Sequence, residues 1–219
     1  ITDFRGGTAS FQFVNTDSNK RYYTYDYYLR RTFGGKCAKI PIDAGFTCPN
    51  IDGRCGTGGC IYCSGRGSGD FAERADVPVA EQYRRTREKL SSKWSTERCI
   101  PYFQAHTNTY APVSYLRKVF MEAISHPDIK ILSIATRPDC LSNEIIQLLQ
   151  ELSAIKPVWV ELGLQTIHET TAQYIRRGYP LSCFQDAVKR LSKAGIEVIV
   201  HMILGLPGES KADMLATAD

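Results

Sequence analysis

From Lys36 onward, short apolar runs alternate with amphipathic helical stretches, and this rhythm constrains the fold more than any other feature of the chain. Cys37-Ala-Lys-Ile-Pro-Ile-Asp43 reads as a strand, and 78–94, opened by Pro78 and carrying Val79, Tyr83 and Leu90, as a helix. Strand 99–106, helix 113–125, strand 129–136, helix 142–154 and strand 157–165 follow. A helical region at 168–176, helix 182–194, strand 197–204 and a helix begun at Ser210 complete the series. Repeated βα units demand a parallel sheet with helices outside it, because each crossover must return the chain to start the next strand in the same direction. The runs 129–134 and 198–204 are largely apolar, as strands buried on both faces are. The 219 residues suffice for one α/β domain with a real core. The last helix has only begun at Asp219, so the expectation is a sheet that ends before its final strand.

The first strand leads into a glycine-rich stretch, residues 43–65, which holds four of the eight cysteines: Cys48, Cys55, Cys60 and Cys63. A disulfide framework belongs to short secreted chains that cannot build a core, and it does not fit half the cysteines sharing one loop. Crowded thiolates suit a soft metal, and a backbone wrapping a compact iron-sulfur cluster needs glycines where it takes positive φ or passes close. Gly53, Gly56, Gly58, Gly59 and Gly65 stand where that need arises. Four thiolates would equally close a tetrahedral zinc site, and spacing alone does not say whether Cys55 is a ligand. The single cysteines Cys37, Cys99, Cys140 and Cys183 read as small buried residues.

Residues 1–35 form a separate segment. Positions 1–19 are mixed and polar, without sustained period, and read as an arm. Residues 20–33 interleave tyrosines with basic side chains, a pattern that serves either a helix packed through its aromatic face or a surface that stacks on unpaired bases. The balance of 27 basic against 23 acidic residues permits a nucleic-acid partner without requiring one. No apolar run approaches a membrane span and no signal-peptide stretch opens the chain, so the expected compartment is the cytoplasm.

In parallel α/β folds the chemistry gathers at the carboxyl ends of the strands. The cysteine loop leaves the first strand there. Gln104 and His106 follow the second strand, Arg137 and Asp139 the third, and Gln165 the fourth. His201 with Gly205-Leu206-Pro207-Gly208 marks the fifth. Five strand ends thus aim polar groups at one mouth.

With these features in place, the sequence resembles the radical S-adenosylmethionine (radical SAM) enzymes. Within them it is similar to the YhcC-like group, related to the radical-SAM domain of the elongator acetyltransferase subunit. The resemblance rests on Ile40-Pro-Ile-Asp-Ala-Gly-Phe-Thr-Cys-Pro-Asn50, Gly59-Cys-Ile-Tyr-Cys63, 102–112, Ala135-Thr-Arg-Pro-Asp139, 161–166, Arg176-Arg-Gly178 and Leu204-Gly-Leu-Pro-Gly-Glu209. It implies a partial (βα)6 TIM-like barrel over 36–219 holding a [4Fe-4S] cluster on Cys48, Cys60 and Cys63, with one iron left for S-adenosylmethionine. It implies reductive cleavage of that cofactor to a 5'-deoxyadenosyl radical that takes hydrogen from a substrate, with electrons from a donor such as flavodoxin or ferredoxin. The superfamily's usual C-x3-C-x2-C is stretched here, with eleven residues between Cys48 and Cys60. By resemblance Tyr62 lies near the adenine, and Gln104 replaces a glycine-rich turn toward the cofactor's amino group. Ala135 stands where related enzymes carry a glutamate, leaving Arg137 as a candidate. Gln165 and Arg177 match a pair for ribose and carboxylate, His201 a ribose contact, and Gly205 and Leu206 a backbone approach to the adenine. Arg137 with Asp139, Arg176 with Arg177, and His201 also have plain structural readings as an ion pair, a helix end and a core histidine. Relatives in the elongator-like branch act on transfer RNA, which makes RNA a candidate substrate. The rival functions are a zinc-stabilised RNA-binding module without catalysis and a cluster-bearing electron carrier.

Overall fold

A computed structural model describes Lys20 and residues 22–219. The arm expected at 1–19, and Arg21 in the aromatic segment, lie outside the described residues. The chain divides into two compact units, one ending at Cys37 and the other running from Ala38 to Asp219.

In the first unit, helix α1 spans Tyr25–Phe33. It starts later than the tyrosine pattern implied because Thr24 takes extended backbone and its hydroxyl accepts from the Tyr27 amide, which caps the first turn. Gly34 ends it in the left-handed region. Tyr23 and Tyr27 meet edge to face at 5.1 Å.

The second unit alternates β1 (Ala38–Ile42), α2 (Val79–Ser91), β2 (Cys99–Phe103), α3 (Val113–Ile124) and β3 (Leu132–Thr136). A single 3-10 turn at Pro138–Cys140, α4 (Asn143–Ser153), β4 (Val158–Gln165), α5 (Glu169–Tyr174), α6 (Leu181–Lys193), β5 (Glu197–Met202) and α7 (Lys211–Ala218) follow. All neighbouring strands pair in parallel, in the order β1-β2-β3-β4-β5. The sheet therefore has five strands, one short of six, and its edges β1 and β5 do not pair with each other. Strands β2 and β5 end earlier than their apolar runs suggested, at Phe103 and Met202, because the backbone turns away at the rim.

The helices lie on the sheet through narrow apolar stripes. In α4, Ile145, Ile146, Leu148, Leu149 and Leu152 are buried, and Ser142 caps the helix by accepting from the Ile145 amide. Phe120 of α3 meets Phe103 of β2 edge to face at 4.9 Å, and both are fully buried. α7 opens on a full capping box between Ser210 and Asp213.

Residues 43–78, between β1 and α2, carry the four clustered cysteines. Loops of this length without regular structure are uncommon and need anchoring. One fully buried side chain supplies it: Gln82 accepts from the Asp43 amide at 3.0 Å and donates to the carbonyls of Asp43 at 2.6 Å, Val77 at 2.8 Å and Arg74 at 3.3 Å. Both ends of the loop are thus pinned to the first turn of α2. Gln82→Leu would keep the volume but leave these backbone groups unpaired, so we expect a loss of about 2–4 kcal/mol in urea unfolding together with faster proteolysis within 43–78.

Candidate active site

The cavity at the strand ends has a volume of about 620 Å³, within the range of small-molecule sites. Cys48, Cys60 and Cys63 line it, and so do Tyr62, Gln104, Arg137, Gln165 and His201. Cys55 is elsewhere: it is exposed, with its sulfur 3.7 Å from Asp139 Oδ2. All eight cysteines are unbridged; Cys37, Cys99 and Cys140 are buried, and Cys183 is half-buried.

The cysteine loop is built from tight turns. The Cys48 carbonyl accepts from the Ile51 and Asp52 amides, the Asn50 carbonyl from Gly59, and the Cys60 carbonyl from Cys63. Of the five glycines singled out from the sequence, Gly53, Gly58 and Gly59 take positive φ and Gly56 packs against Asn50, whereas Gly65 does neither. Cys60 accepts hydrogen bonds from Cys63 and from the Asn50 amide, which outweigh burial and bring its thiol down to about 6. The shared hydrogen bond and burial push Cys63 up. Burial and the neighbouring Cys60 likewise push the Tyr62 phenol up. A zinc ion would need its ligands gathered at one point, and among the described residues no three His, Cys, Asp or Glu side chains gather so. Cys48, Cys60 and Cys63 line one cavity, and three thiolates from one loop are a donor set that leaves one corner of an iron-sulfur cube for a further ligand.

Backbone strain concentrates at the same place. Among the described residues, the non-glycine positions with positive φ are Ser68, His106, Gln165 and Arg176. The first three line the cavity and the fourth adjoins the cysteine loop. Such conformations cost energy and persist where the surroundings enforce them, which marks functional sites. His106 takes the conformation that a glycine in this turn would supply, and its Nδ1 is buried without a hydrogen-bond partner. Gln165 follows an irregularity in the β4–β5 pairing and folds its amide back over Gly163, where a Cβ would lie 2.5 Å from its Nε2.

Two arginines stand differently from the expectation. Arg177 is fully buried and does not line the cavity: it donates to the carbonyls of Leu164 at 2.9 Å, Thr166 at 2.6 Å and Tyr179 at 3.0 Å, and reaches Glu169 at 3.4 Å. Its guanidinium is spent on backbone freed where β4 ends, so the planar fork is not turned toward a ligand carboxylate. Arg137 lines the cavity, but its fork is taken by Asp139 at 2.7 and 2.9 Å and by the Arg177 carbonyl at 2.9 Å. The ion-pair reading describes it. Tyr179, absent from the sequence-based candidates, lies between the two, 4.8 and 4.9 Å from the guanidinium carbons. Gly205 and Leu206 also fall outside the cavity lining; the Gly205 amide donates to Met214 Sδ at 3.1 Å and Leu206 is buried.

The residue that sequence reasoning missed is Glu161. It sits in the middle of β4, 3% exposed, and lines the cavity floor. Lys39 of β1 reaches its Oε1 at 2.6 Å, Ser133 of β3 donates to the same oxygen, and His201 Nε2 of β5 meets Oε2 at 2.7 Å. Since β1 and β5 are opposite edges, the sheet must curl for both to touch one carboxylate. Lys39 also lies 3.5 Å from the centre of the Tyr102 ring, so all five strands contribute to this floor. Burial alone would push the Glu161 carboxyl up, but His201, Lys39 and Ser133 outweigh it and hold the group at about 2. A charge in the middle of an otherwise apolar strand, matched by Lys39 in another, was the available signal.

A parallel sheet that curls around a cavity and hangs a thiol loop from its first strand is the architecture of a barrel-type cofactor enzyme. The pattern of the radical SAM superfamily matches residues 50–219, and the chain belongs to that superfamily. It is 45% identical over 208 residues to YtqA of Bacillus subtilis, covering 95% of this chain and 64% of that one. To YhcC of Escherichia coli it is 38% identical over 196 residues, covering 87% and 61%, in keeping with the YhcC-like resemblance. A shorter stretch of 78 residues, 35% of the chain, is 38% identical to a tRNA uridine(34) acetyltransferase of Methanocaldococcus jannaschii, of which it covers 14%. Among solved structures, Elp3 of Methanocaldococcus infernus superposes with a TM-score of 0.58 at 18% identity, over 83% of this chain and 41% of that one. The chain thus spans less than two thirds of the length of YtqA and YhcC. No helix among the described residues is long and apolar enough to cross a membrane.

Two outcomes follow from the geometry. The folded-state value of Glu161 lies below its ordinary 4.5, so its stabilisation is present above that pH and lost as pH falls toward 2. Glu161→Gln should cost on the order of 3 kcal/mol at pH ~7, and the gap from wild type should narrow in urea unfolding below pH 4.5 and close only as pH approaches about 2. Arg177→Met would leave three buried carbonyls without their donor, and we expect roughly 3–5 kcal/mol of lost stability by the same measurement.

Proposed function

We propose that the protein holds a [4Fe-4S] cluster on Cys48, Cys60 and Cys63 and uses it to cleave S-adenosylmethionine reductively. The observation that carries this reading is the sharing of one cavity by these three thiols and the polar strand ends, with Cys55 turned away. When both are bound, cluster and sulfonium together supply a carbon radical able to take hydrogen from an unactivated position. The chain's own residues have the tasks of binding, orienting and shielding. Tyr62 offers a half-buried aromatic face beside the cysteines, suited to the adenine. Gln165, held in strained backbone, and His201, oriented by Glu161, present hydrogen-bonding atoms toward a ribose. Gln104 and the turn at His106 are placed for the amino-acid end. Arg137 contributes positive potential rather than a direct fork, since Asp139 occupies that fork. Gly205, Leu206 and Arg177 act behind this layer, shaping the rim.

An RNA substrate is supported by the matched stretch of the tRNA uridine(34) acetyltransferase and by the exposed Tyr22, Tyr23 and Tyr25, close in sequence to Arg30 and Arg31. A small electron-transfer protein of the flavodoxin or ferredoxin type would deliver the electron. A compartment that keeps thiols reduced, such as the cytoplasm, suits the unbridged cysteines.

The test is anaerobic reconstitution with iron and sulfide, then reduction in the presence of S-adenosylmethionine. Cys48→Ser, Cys60→Ser and Cys63→Ser should each lower 5'-deoxyadenosine formation by about a hundredfold or more, with reduced iron content, whereas Cys55→Ser should keep both. Wild-type protein that binds zinc but neither builds a cluster nor forms 5'-deoxyadenosine would replace this reading with the zinc module.

A further inference from the structure

Asn50 is 4% exposed and sits two residues after Cys48. Its side-chain nitrogen lies 3.3 Å from Cys60 Sγ and 2.6 Å from the Arg176 carbonyl oxygen. The second contact settles which end of the amide is which, because a carbonyl oxygen can only accept: the NH2 group must face Arg176. Its other hydrogen is then available to the sulfur. The slot that holds the amide is cut to it on both sides. A Cβ on Gly56 would lie 2.4 Å from Asn50 Oδ1, and one on Gly178 would lie 3.2 Å from the same atom. Gly178 also has φ +80, which other residues rarely adopt. Arg176, whose carbonyl fixes the amide, is itself held at φ 55. Two glycines and one strained residue therefore converge on the placement of a single N–H.

We propose that Asn50 tunes the iron-sulfur cluster by donating a hydrogen bond to the Cys60 thiolate, raising the cluster's reduction potential. The proposal rests on the cluster reading given above. An N–H aimed at a thiolate draws off negative charge, and the reduced cluster, which carries one more electron, gains more from this than the oxidised one. Hydrogen bonds to charged acceptors are among the stronger ones, and here the low exposure keeps water from competing. Asn50 is thus a positioning and tuning residue, and it does not touch the reacting atoms.

The experiment is a potentiometric titration of the reconstituted protein, without S-adenosylmethionine, followed by electron paramagnetic resonance of the reduced cluster. Asn50→Leu removes the donor at similar volume and should shift the reduction equilibrium roughly tenfold toward the oxidised form, about 59 mV more negative for one electron. An intact cluster with an unmoved midpoint would overturn the proposal. A measurement on wild-type protein covers the case in which the variant does not assemble. With 15N in the asparagine side chains, pulsed resonance of the reduced cluster should reveal one weakly coupled 15N with an exchangeable proton, and its absence would equally overturn the assignment. Failure of wild-type protein to build any cluster would instead refute the underlying reading, so the two failures are distinguishable.

Discussion

A carboxylate can be carried into the centre of a sheet only if its charge is met there, and in this protein meeting it shapes the sheet. Glu161 brings in Lys39 from one edge and His201 from the other, with Ser133 between them. Buried ion pairs of this kind contribute little net stability over an apolar filling, because desolvation takes back most of the attraction. What they supply is definition: the two edge strands must approach the same point, so the five-stranded sheet curls without closing. The cavity above is the space this curvature leaves.

The cysteine loop uses a complementary device. Its path is irregular, but its ends are tied to one buried amide at Gln82, and its middle is tied to the turn after α5. The Ile61 amide donates to the Ile175 carbonyl, Asn50 to that of Arg176, and Arg137 to that of Arg177. Three consecutive carbonyls thus receive donors from the loop and from the third strand end. Anchorage of this kind keeps the spacing of the loop's thiols independent of solvent and partner binding.

Much of this was legible in the chain. The apolar run 129–134 leads into β3, which is buried as expected, whereas β5, read in the same way from 198–204, is an edge strand left partly exposed because no sixth strand among the described residues covers it. Ser142 and Ser210 stand where their helices were expected to start, and each caps its first turn. Crowding marked the four cysteines of the loop, and the family resemblance singled out Cys48, Cys60 and Cys63, which share the cavity. What could not be read were facts of the assembled fold. Arg177 looked like a free fork before a glycine, whereas it is consumed by the Leu164 and Thr166 carbonyls, where β4 ends beside an irregularity in its pairing with β5. Glu161 was passed over because its partners stand on three other strands, and no local window contains them. His106 and Gln165 were placed at the rim correctly, but their positive φ follows from the turn geometry and not from residue type. Gly205 and Leu206 follow the fifth strand as expected, but the turn carries them away from the mouth.

The stitching of residues 175–178 to the thiol loop has a consequence for inheritance of change. These positions lie far downstream of the cysteines and contribute mainly carbonyl oxygens, which no substitution of side chain can delete. A one-residue insertion there would slide every acceptor past its donor, even with the buried Arg177 and the close-packed Gly178 kept. The segment is therefore as strict in length as it is in spelling at Arg177 and Gly178.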